Sequence, residues 1–409
     1  ALGGRVHSHR DTATGDVIDN GPHVMVGAYR RTRALLRMLG TESRVRFQPQ
    51  LALTVRSGGG DHRFRRRLPR DLGLAAGLAG MRGISLREVW LTRGLLPSAR
   101  NAGRSALDHQ TCVEWFDALG IPGSVRRLFL DPICTAALND TPARSSAALF
   151  AGVLRRAFEW GSEVPGPDGL GFILGPHTVL FEGAIERLVA QGRGEVISGR
   201  GAERVVFTGE QASGVALADG REVRAKQVVV AVSHRHVPDL FDGAQRASVD
   251  QALIDELGAA PIVSIHLWLD RPVMDGPLLG LVGCPTQFLY GVDAIWPQRS
   301  RHHRVVGIIS GPTGDVAKSN DALAEQTLDD IRAMCPGAER VEAIHRVVVK
   351  EREATFLPKP GLLARRPGPA TPWRNVWWAG DWTATGLPST IEGACESGFA
   401  AARMILGGE

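Results

Sequence analysis

The stretch "WWAGDWTATGLPSTIEGACESG", Trp377 to Gly398, decides how this chain is read. An aromatic strand ends on Gly380-Asp381, a loop with Gly386 and Pro388 follows, and a helix begins that carries Gly393, Ala394, Gly398, Ala400 and Ala401. Ligands of open α/β sheets bind at the carboxyl ends of strands, which places Asp381 to accept a hydrogen bond from a sugar-like hydroxyl. The start of a helix offers unpaired N–H groups and partial positive charge to an electron-rich partner. Ser389 and Glu392 have the S-x-x-E spacing of a capping box. The small residues let the helix approach a backbone or a flat ring closely. Core packing alone would account for the small residues, and turn capping for Asp381. The combination of all these features is what points to a ligand.

The other end of the chain carries a matching signal. "LGGR" supplies Gly3 and Gly4, where backbone can meet a phosphate or a ring, and Arg5, which can pair with phosphate oxygens. In "DNGPHVMVG", Gly21 and Pro22 set a tight loop ahead of His23. His23 could contact a cofactor ring or shuttle a proton, or serve as a structural hydrogen-bond partner.

Composition bounds the rest. A chain of 409 residues, 44% hydrophobic and 22% charged, suits two globular domains rather than one or a disordered segment. The net charge of +5 is carried almost wholly by arginine, since lysine occurs only at positions 226, 318, 350 and 359. Arg63, Arg65, Arg66, Arg67 and Arg70 cluster in "DHRFRRRLPR", which reads as a solvated basic loop or a contact with acidic lipid. No nucleic-acid signature accompanies it. The cysteines at 112, 134, 284, 335 and 395 lack CxxC spacing, so neither a disulfide framework nor a metal site is expected, and a reducing, cytoplasmic setting fits. No apolar run is long enough to span a bilayer.

Along the chain, Leu35, Leu36 and Leu39 predict a helix stopped by Gly40. Two strand-like runs flank Gly58-Gly59-Gly60, helical patterns fill 71–160, and short strands resume after Pro165. Gln227 to Val232 reads as a strand buried on both faces, and Asp321 as the N-cap of a later helix. The expected fold class is α/β, interrupted twice, with an inserted α+β domain.

The quoted motifs resemble those of the FAD-dependent amine oxidase and phytoene desaturase superfamily. The matching residues are Gly3, Gly4 and Arg5, then Gly380, Asp381, Glu392, Gly393, Ala394, Ser397 and Gly398. "DPICTAALNDTPARSSAALFAGVLRRAF" and "DWTATGLPSTIEGA" narrow the resemblance to the squalene-associated branch, the hydroxysqualene dehydroxylases of squalene and hopanoid biosynthesis. It implies a Rossmann-like FAD-binding domain of the GR2 type, residues 1–45, 165–240 and 346–409, and a substrate domain, 46–164 and 241–345. The superfamily's opening strand–GxGxxG–helix unit is not in the sequence. The resemblance implies that it lies upstream of Ala1, and that the chain without it holds FAD weakly.

By the same resemblance, Asp381 would bond the ribityl or pyrophosphate region, and Gly380 would border it. Ile391 and Glu392 would present N–H groups to the flavin pyrimidine edge, with Ala394 on the same helix. Gly3, Gly4 and Arg5 would lie along the cofactor, and Gly21, Pro22 and His23 would approach its ring. Arg204 and Val205 would pass the adenine, and Ala231 would border the cofactor. Trp382 would pack near the ring or in the core. The implied reaction is a reductive dehydroxylation of a long isoprenoid alcohol, with His23 as candidate acid and "SAALFAGVLRRAF" and "LLGLVGCPTQFLYGV" as candidate tunnel walls or plain core. A carotenoid-type desaturase, a flavin amine oxidase and a non-catalytic lipid-binding remnant are the alternatives. The substrate would be a hydrophobic isoprenoid, with no nucleic acid, no metal, and a peripheral membrane contact.

Overall fold

The computed structural model describes residues 2–101, 104–159, 168–190, 192, 194–296, 300–311 and 314–407. Its largest sheet has seven strands in the order 343–355, 260–269, 303–310, 288–291, 278–281, 52–57, 60–65. Neighbours are antiparallel except that 278–281 runs parallel to 52–57. The expected hairpin across Gly58-Gly59-Gly60 is its outer pair. The first strand in that order straddles the boundary expected at 346.

The strand Ala260–Leu269 shows how sequence period becomes a two-sided element. Side chains alternate across a strand. Val263, Ile265, Leu267 and Leu269 enter an apolar cluster with Leu323, Leu328 and Ile331 of the helix Asn320–Met334. Each fully buried side chain of that kind contributes about 1.5–3 kcal/mol. Ser264, His266 and Trp268 are buried on the alternate positions, and the Trp268 indole donates to Asp16 at 2.6 Å. Ser319, not Asp321, caps the helix, accepting the Ala322 N–H at 3.1 Å.

Smaller sheets surround this one. Val24–Val26, Leu170–Ile173 and Val45–Phe47 form one, with Leu170–Ile173 central, and Ala202–Thr208, Gln211–Leu217 and Glu222–Arg224 form another. Ser8–Arg10 pairs with Val17–Asp19. Val228–Val230 pairs in parallel with Val376–Trp378, joining the middle of the chain to its end. Val229 is 45% exposed, so this strand is covered on one face only, against the expectation of burial on both. The helices of residues 70–159 pack around Trp115, Phe116, Phe129, Phe150 and Phe158, and that core continues into Val228, Val230, Trp378 and Trp382. Arg30–Leu39 is helical and ends on Gly40 at φ 75°, as the pattern predicts. No helix among the described residues is long and apolar enough to cross a membrane.

Candidate active site

The two ends of the chain meet. After Trp378, Ala379 donates to the Val230 carbonyl at 3.0 Å, and Gly380 then turns at φ 138°. A Cβ on Gly380 would sit 2.6 Å from the Trp382 indole nitrogen, so only glycine fits there. The Gly380 N–H is held by the Ser397 hydroxyl at 2.8 Å, and the turn presents Asp381. Arg5 approaches the Asp381 carboxylate at 2.6 Å, and the Ser389 hydroxyl donates to its other oxygen. Arg5 also donates to the Ala354 carbonyl at 2.6 Å. Gly3 and Gly4, at φ 100° and 57°, make the turn that delivers it.

Arg366 fixes the loop between Asp381 and the last helix. It is buried, and donates to the carbonyls of Trp382 at 3.0 Å, Leu387 at 2.6 Å and Asp381 at 2.7 Å. Its guanidinium lies 4.7 Å from the centre of the Phe356 ring. Burial lowers its pKa to about 10, which still leaves it charged at neutral pH.

The last helix, Ile391–Ile405, is capped by Thr390, whose hydroxyl accepts the Gly393 N–H at 3.0 Å. The capping box expected from Ser389 and Glu392 does not form, because Ser389 is engaged with Asp381 and Glu392 turns to another helix. Glu392, fully buried, accepts the Arg31 N–H at 3.1 Å, the Thr32 N–H at 2.9 Å and the Thr32 hydroxyl at 2.8 Å. These N–H groups begin the helix Arg30–Leu39, whose own N-cap, Tyr29, makes no side-chain cap bond. Glu392 is thus the cap of one helix supplied from the first turn of another, a favourable place for a carboxylate. Ile391 and Glu392 lie in the first turn of the last helix, where N–H groups lack intrahelical acceptors.

Beside this junction the DNGPH loop encloses a polar chamber. Asn20 Nδ2 donates to the Arg5 carbonyl at 2.6 Å, tying the loop to the GGR turn. Asp19 is buried and accepts from the Ser8 hydroxyl at 2.6 Å and the His177 N–H at 2.9 Å. The His177 ring lies with Nε2 3.4 Å from the other Asp19 oxygen, without hydrogen-bond alignment. Its centroid is 5.2 Å from that of His23. A Cβ on Gly21 would lie 3.1 Å from the Ser264 hydroxyl, so loop and large sheet touch here. His177 Nδ1 and Nε2, Ser264 Oγ, His266 Nε2 and Tyr290 Oη are buried without hydrogen-bond partners among the described residues. Unpaired buried polar atoms are costly, so such a group of them sets this cluster apart from ordinary core.

Burial sets the charge states. It raises the Asp19 carboxyl to about 6, against the pull of the His177 N–H and the Ser8 hydroxyl. It lowers His177 to about 3. It lowers His266 to about 3, with Arg304 adding to the effect, and His23 to about 3, with His177 adding to it. The chamber therefore holds neutral imidazoles around a carboxyl that takes up its proton near pH 6.

The remaining sequence candidates fall in different places. Trp382 is buried in the core and donates to the Val232 carbonyl at 3.2 Å. Ala231 follows the strand Val228–Val230, and Ala394 lies on the exposed side of the last helix. Arg204 is exposed and Val205 is buried, both on a separate small sheet. The structure brings together Gly3–Arg5, Gly21–His23, Gly380–Trp382 and the start of the last helix. Sequence reading missed Asp19, His177, His266 and Arg366. Asp19 stood inside a quoted motif, and polar residues interrupting "PIVSIHLWL" marked Ser264 and His266. Nothing local marked Arg366.

These residues fit an FAD. Gly4 is left-handed, and a Cβ there would meet nothing within 4 Å, so its backbone faces open space. A guanidinium, a carboxylate and a helix start converge beside it. Both segments named as tunnel walls line cavities. Ala148, Ala151 and Gly152 bound one of about 330 Å³ that reaches Thr385 and Gly386 and is otherwise strongly polar, with Arg30, Arg31, Arg155, Arg156 and Glu396 in its wall, and Leu281 to Cys284 with Phe288 bound another of about 240 Å³. No cluster of metal-binding side chains occurs among the described residues.

The chain resembles known proteins along nearly its whole length. A family model described as flavin containing amine oxidoreductase matches residues 1–406. The chain is 30% identical to a hydroxysqualene dehydroxylase of Sinorhizobium fredii, covering 99% of this chain and 90% of that one. It is 25% identical to a 15-cis-phytoene desaturase of Synechococcus elongatus, covering 99% and 89%. Among solved structures, an oxidoreductase from Methanosarcina mazei superposes with a TM-score of 0.74 at 15% identity, covering 98% and 92%. The cyclohexylamine oxidase of Brevibacterium oxydans gives 0.64 at 19%, covering 100% and 92%.

Proposed function

The chain belongs to the flavin containing amine oxidoreductase family and is an FAD-dependent oxidoreductase, and from that premise we propose that it removes the hydroxyl of a long isoprenoid alcohol of the hydroxysqualene kind. FAD in its reduced form, when bound, would supply the hydride that replaces the hydroxyl and would be left oxidised, with the hydroxyl leaving as water. Arg5 and Asp381, paired at 2.6 Å, would hold the cofactor's polar chain, and the start of the last helix would favour its electron-rich edge. The departing oxygen must leave as water, because hydroxide is a poor leaving group, so the protein must deliver a proton.

The observation that carries this reading is the Asp19 chamber. A carboxyl protonated up to about pH 6 is a proton store, whereas neutral His23, with its pKa near 3, is not. On this reading Asp19 replaces His23 as the acid, with the His177 ring beside both, 3.4 Å from the Asp19 carboxylate and 5.2 Å from the His23 ring between centroids. The unpaired Ser264, His266 and Tyr290 atoms suit a substrate with a hydroxyl. Desaturation of a hydrocarbon polyene needs neither acid nor polar lining. An amine oxidase would leave the chamber equally unexplained. A water-insoluble substrate also fits a protein that works at a membrane surface.

Anaerobic incubation of the full-length protein with reduced FAD and hydroxysqualene, phytoene or an amine tests the proposal by product mass. Squalene should form, and Asp19→Asn should slow its formation about a hundredfold or more while FAD stays bound, as expected of a lost general acid. Full activity of Asp19→Asn removes the acid assignment. Turnover of phytoene or an amine in place of hydroxysqualene removes the dehydroxylation itself.

A further inference from the structure

The helix Arg70–Ala79 and its flanks form a surface that the redox chemistry does not use. From Leu72 to Met81 the chain has no charged residue. Leu74 and Leu78 are buried on the inner side. Leu72 is 65% exposed on the outer side, where Ala79 is also exposed and Ala75 and Ala76 are half-buried. A surface helix is normally polar on its outer face, but beyond Asp71 this one carries no polar side chain there. Leu68, just before it, is 46% exposed, and Leu86 and Trp90, on the next helix, Leu86–Leu91, are 76% and 59% exposed. An apolar patch of this kind marks an interaction site.

Charge identifies the partner. Arg65, Arg67, Arg82 and Arg87 are exposed around the patch and have no carboxylate partner among the described residues. The nearby carboxylates are engaged elsewhere. Asp61 takes Arg56 and Arg63, Asp71 takes Arg100, and Glu88 closes a capping box with Ser85. Arg66, which the sequence grouped with this basic loop, is buried instead and donates to the Ala157 carbonyl and to Asp168. Unpaired arginines around exposed leucine and tryptophan complement an anionic interface that is apolar just beneath its surface.

We propose that this face docks on the surface of an anionic lipid bilayer, with Leu68, Leu72, Leu86 and Trp90 entering the headgroup layer and the arginines meeting lipid phosphates. Position gives the contact a use. Asp71, next to Leu72, pairs with Arg100, and the neighbouring Ala99 lines the 330 Å³ cavity that runs to Gly386, beside the cofactor loop. A bilayer held here would lie close to that cavity. The docking stands on the surface alone, and only the delivery of an isoprenoid rests on the proposed function.

Flotation of the full-length protein with vesicles of phosphatidylcholine, alone or mixed with phosphatidylglycerol, tests the docking. Binding should need the anionic lipid and fall as salt rises from low to several hundred millimolar. Arg65→Glu with Arg67→Glu should weaken it about tenfold or more, and Leu72→Glu and Trp90→Ala should each weaken it, with melting temperature unchanged. Activity on detergent-dispersed substrate should be unaffected, so failure of docking and failure of the chemistry remain distinguishable. Vesicle binding that is equal for parent and variants overturns the proposal. So does a parent that self-associates in solution through this face and ignores vesicles, which would assign the patch to a second copy.

Discussion

Replacing Glu392 by alanine removes the cap of a helix whose first turn it meets, at Arg31, across 361 residues of chain. Three donors lose their acceptor at once, the N–H groups of Arg31 and Thr32 and the Thr32 hydroxyl, and Arg156, 3.5 Å away, loses a buried counter-charge. A missing helix cap costs about 1 kcal/mol. Each buried donor left unsatisfied costs about 1–3 kcal/mol, and breaking a buried charged contact about 3–5 kcal/mol. These overlap, so the expected loss for Glu392→Ala is about 3–5 kcal/mol. Glu392→Gln keeps one acceptor oxygen but loses the other together with the charge, so it should cost less than the alanine, about 1–3 kcal/mol. Urea unfolding gives the loss from the midpoint, read only if the slope is unchanged. Amide hydrogen exchange at Arg31 and Thr32 gives it locally. A double-mutant cycle isolates the contact, because Thr32→Val should cost about 1 kcal/mol in the parent and close to nothing beside Glu392→Ala. Equal costs in both backgrounds, or a loss under about 1 kcal/mol for Glu392→Ala, would refute the trans-cap.

The chamber sets the pH dependence of stability with two opposing signs. Asp19, raised from 3.8 to about 6, favours the fold at low pH and loses that contribution as pH rises through 6, so Asp19→Asn should raise stability at pH 7 relative to pH 4. His177 and His266, lowered from 6.5 to about 3, favour the fold above 6.5 and lose their contribution as pH falls, about 2 kcal/mol each by pH 5. Two histidines outweigh one carboxyl, so acid unfolding should set in below pH 6, and His266→Gln should move its midpoint down, as read by near-UV circular dichroism. Gly380→Ala places a Cβ 2.6 Å from the Trp382 indole at φ 138°, which should cost about 2 kcal/mol or more and abolish the flavin absorbance of the purified full-length protein. Arg366→Met should release the loop carbonyls and raise the FAD dissociation constant at least about tenfold, a loss of one to two charged hydrogen bonds, measured by fluorescence titration; unchanged affinity would remove its role in setting the Asp381 loop.

The turns that shape the candidate cofactor site were legible in the sequence because they are local. A glycine that must turn left-handed, a strand that ends on Gly-Asp and a helix that starts after a Gly/Pro loop are each set by a few neighbouring residues, and Gly3–Arg5 and Gly380–Asp381 are read that way. The hairpin at Gly58–Gly60 and the stop at Gly40 follow from the same short-range rules. Local spacing misled where a partner across the fold competed for the same group. Ser389 and Glu392 have the capping-box spacing, yet Asp381 takes one and Thr32 the other. Arg66 reads as part of a solvated cluster, yet Asp168 draws it into the interior.

What the sequence alone determined, then, is where the two glycine-rich segments near the chain ends turn, at Gly3–Gly4 and at Gly380. What only the tertiary structure decided is which groups are charged and which are capped. Asp19 meets His177 across 158 positions, and Glu392 meets Thr32 across 360. A proton's affinity and a helix dipole's partner depend on distance and burial in space, and spacing along the chain encodes neither.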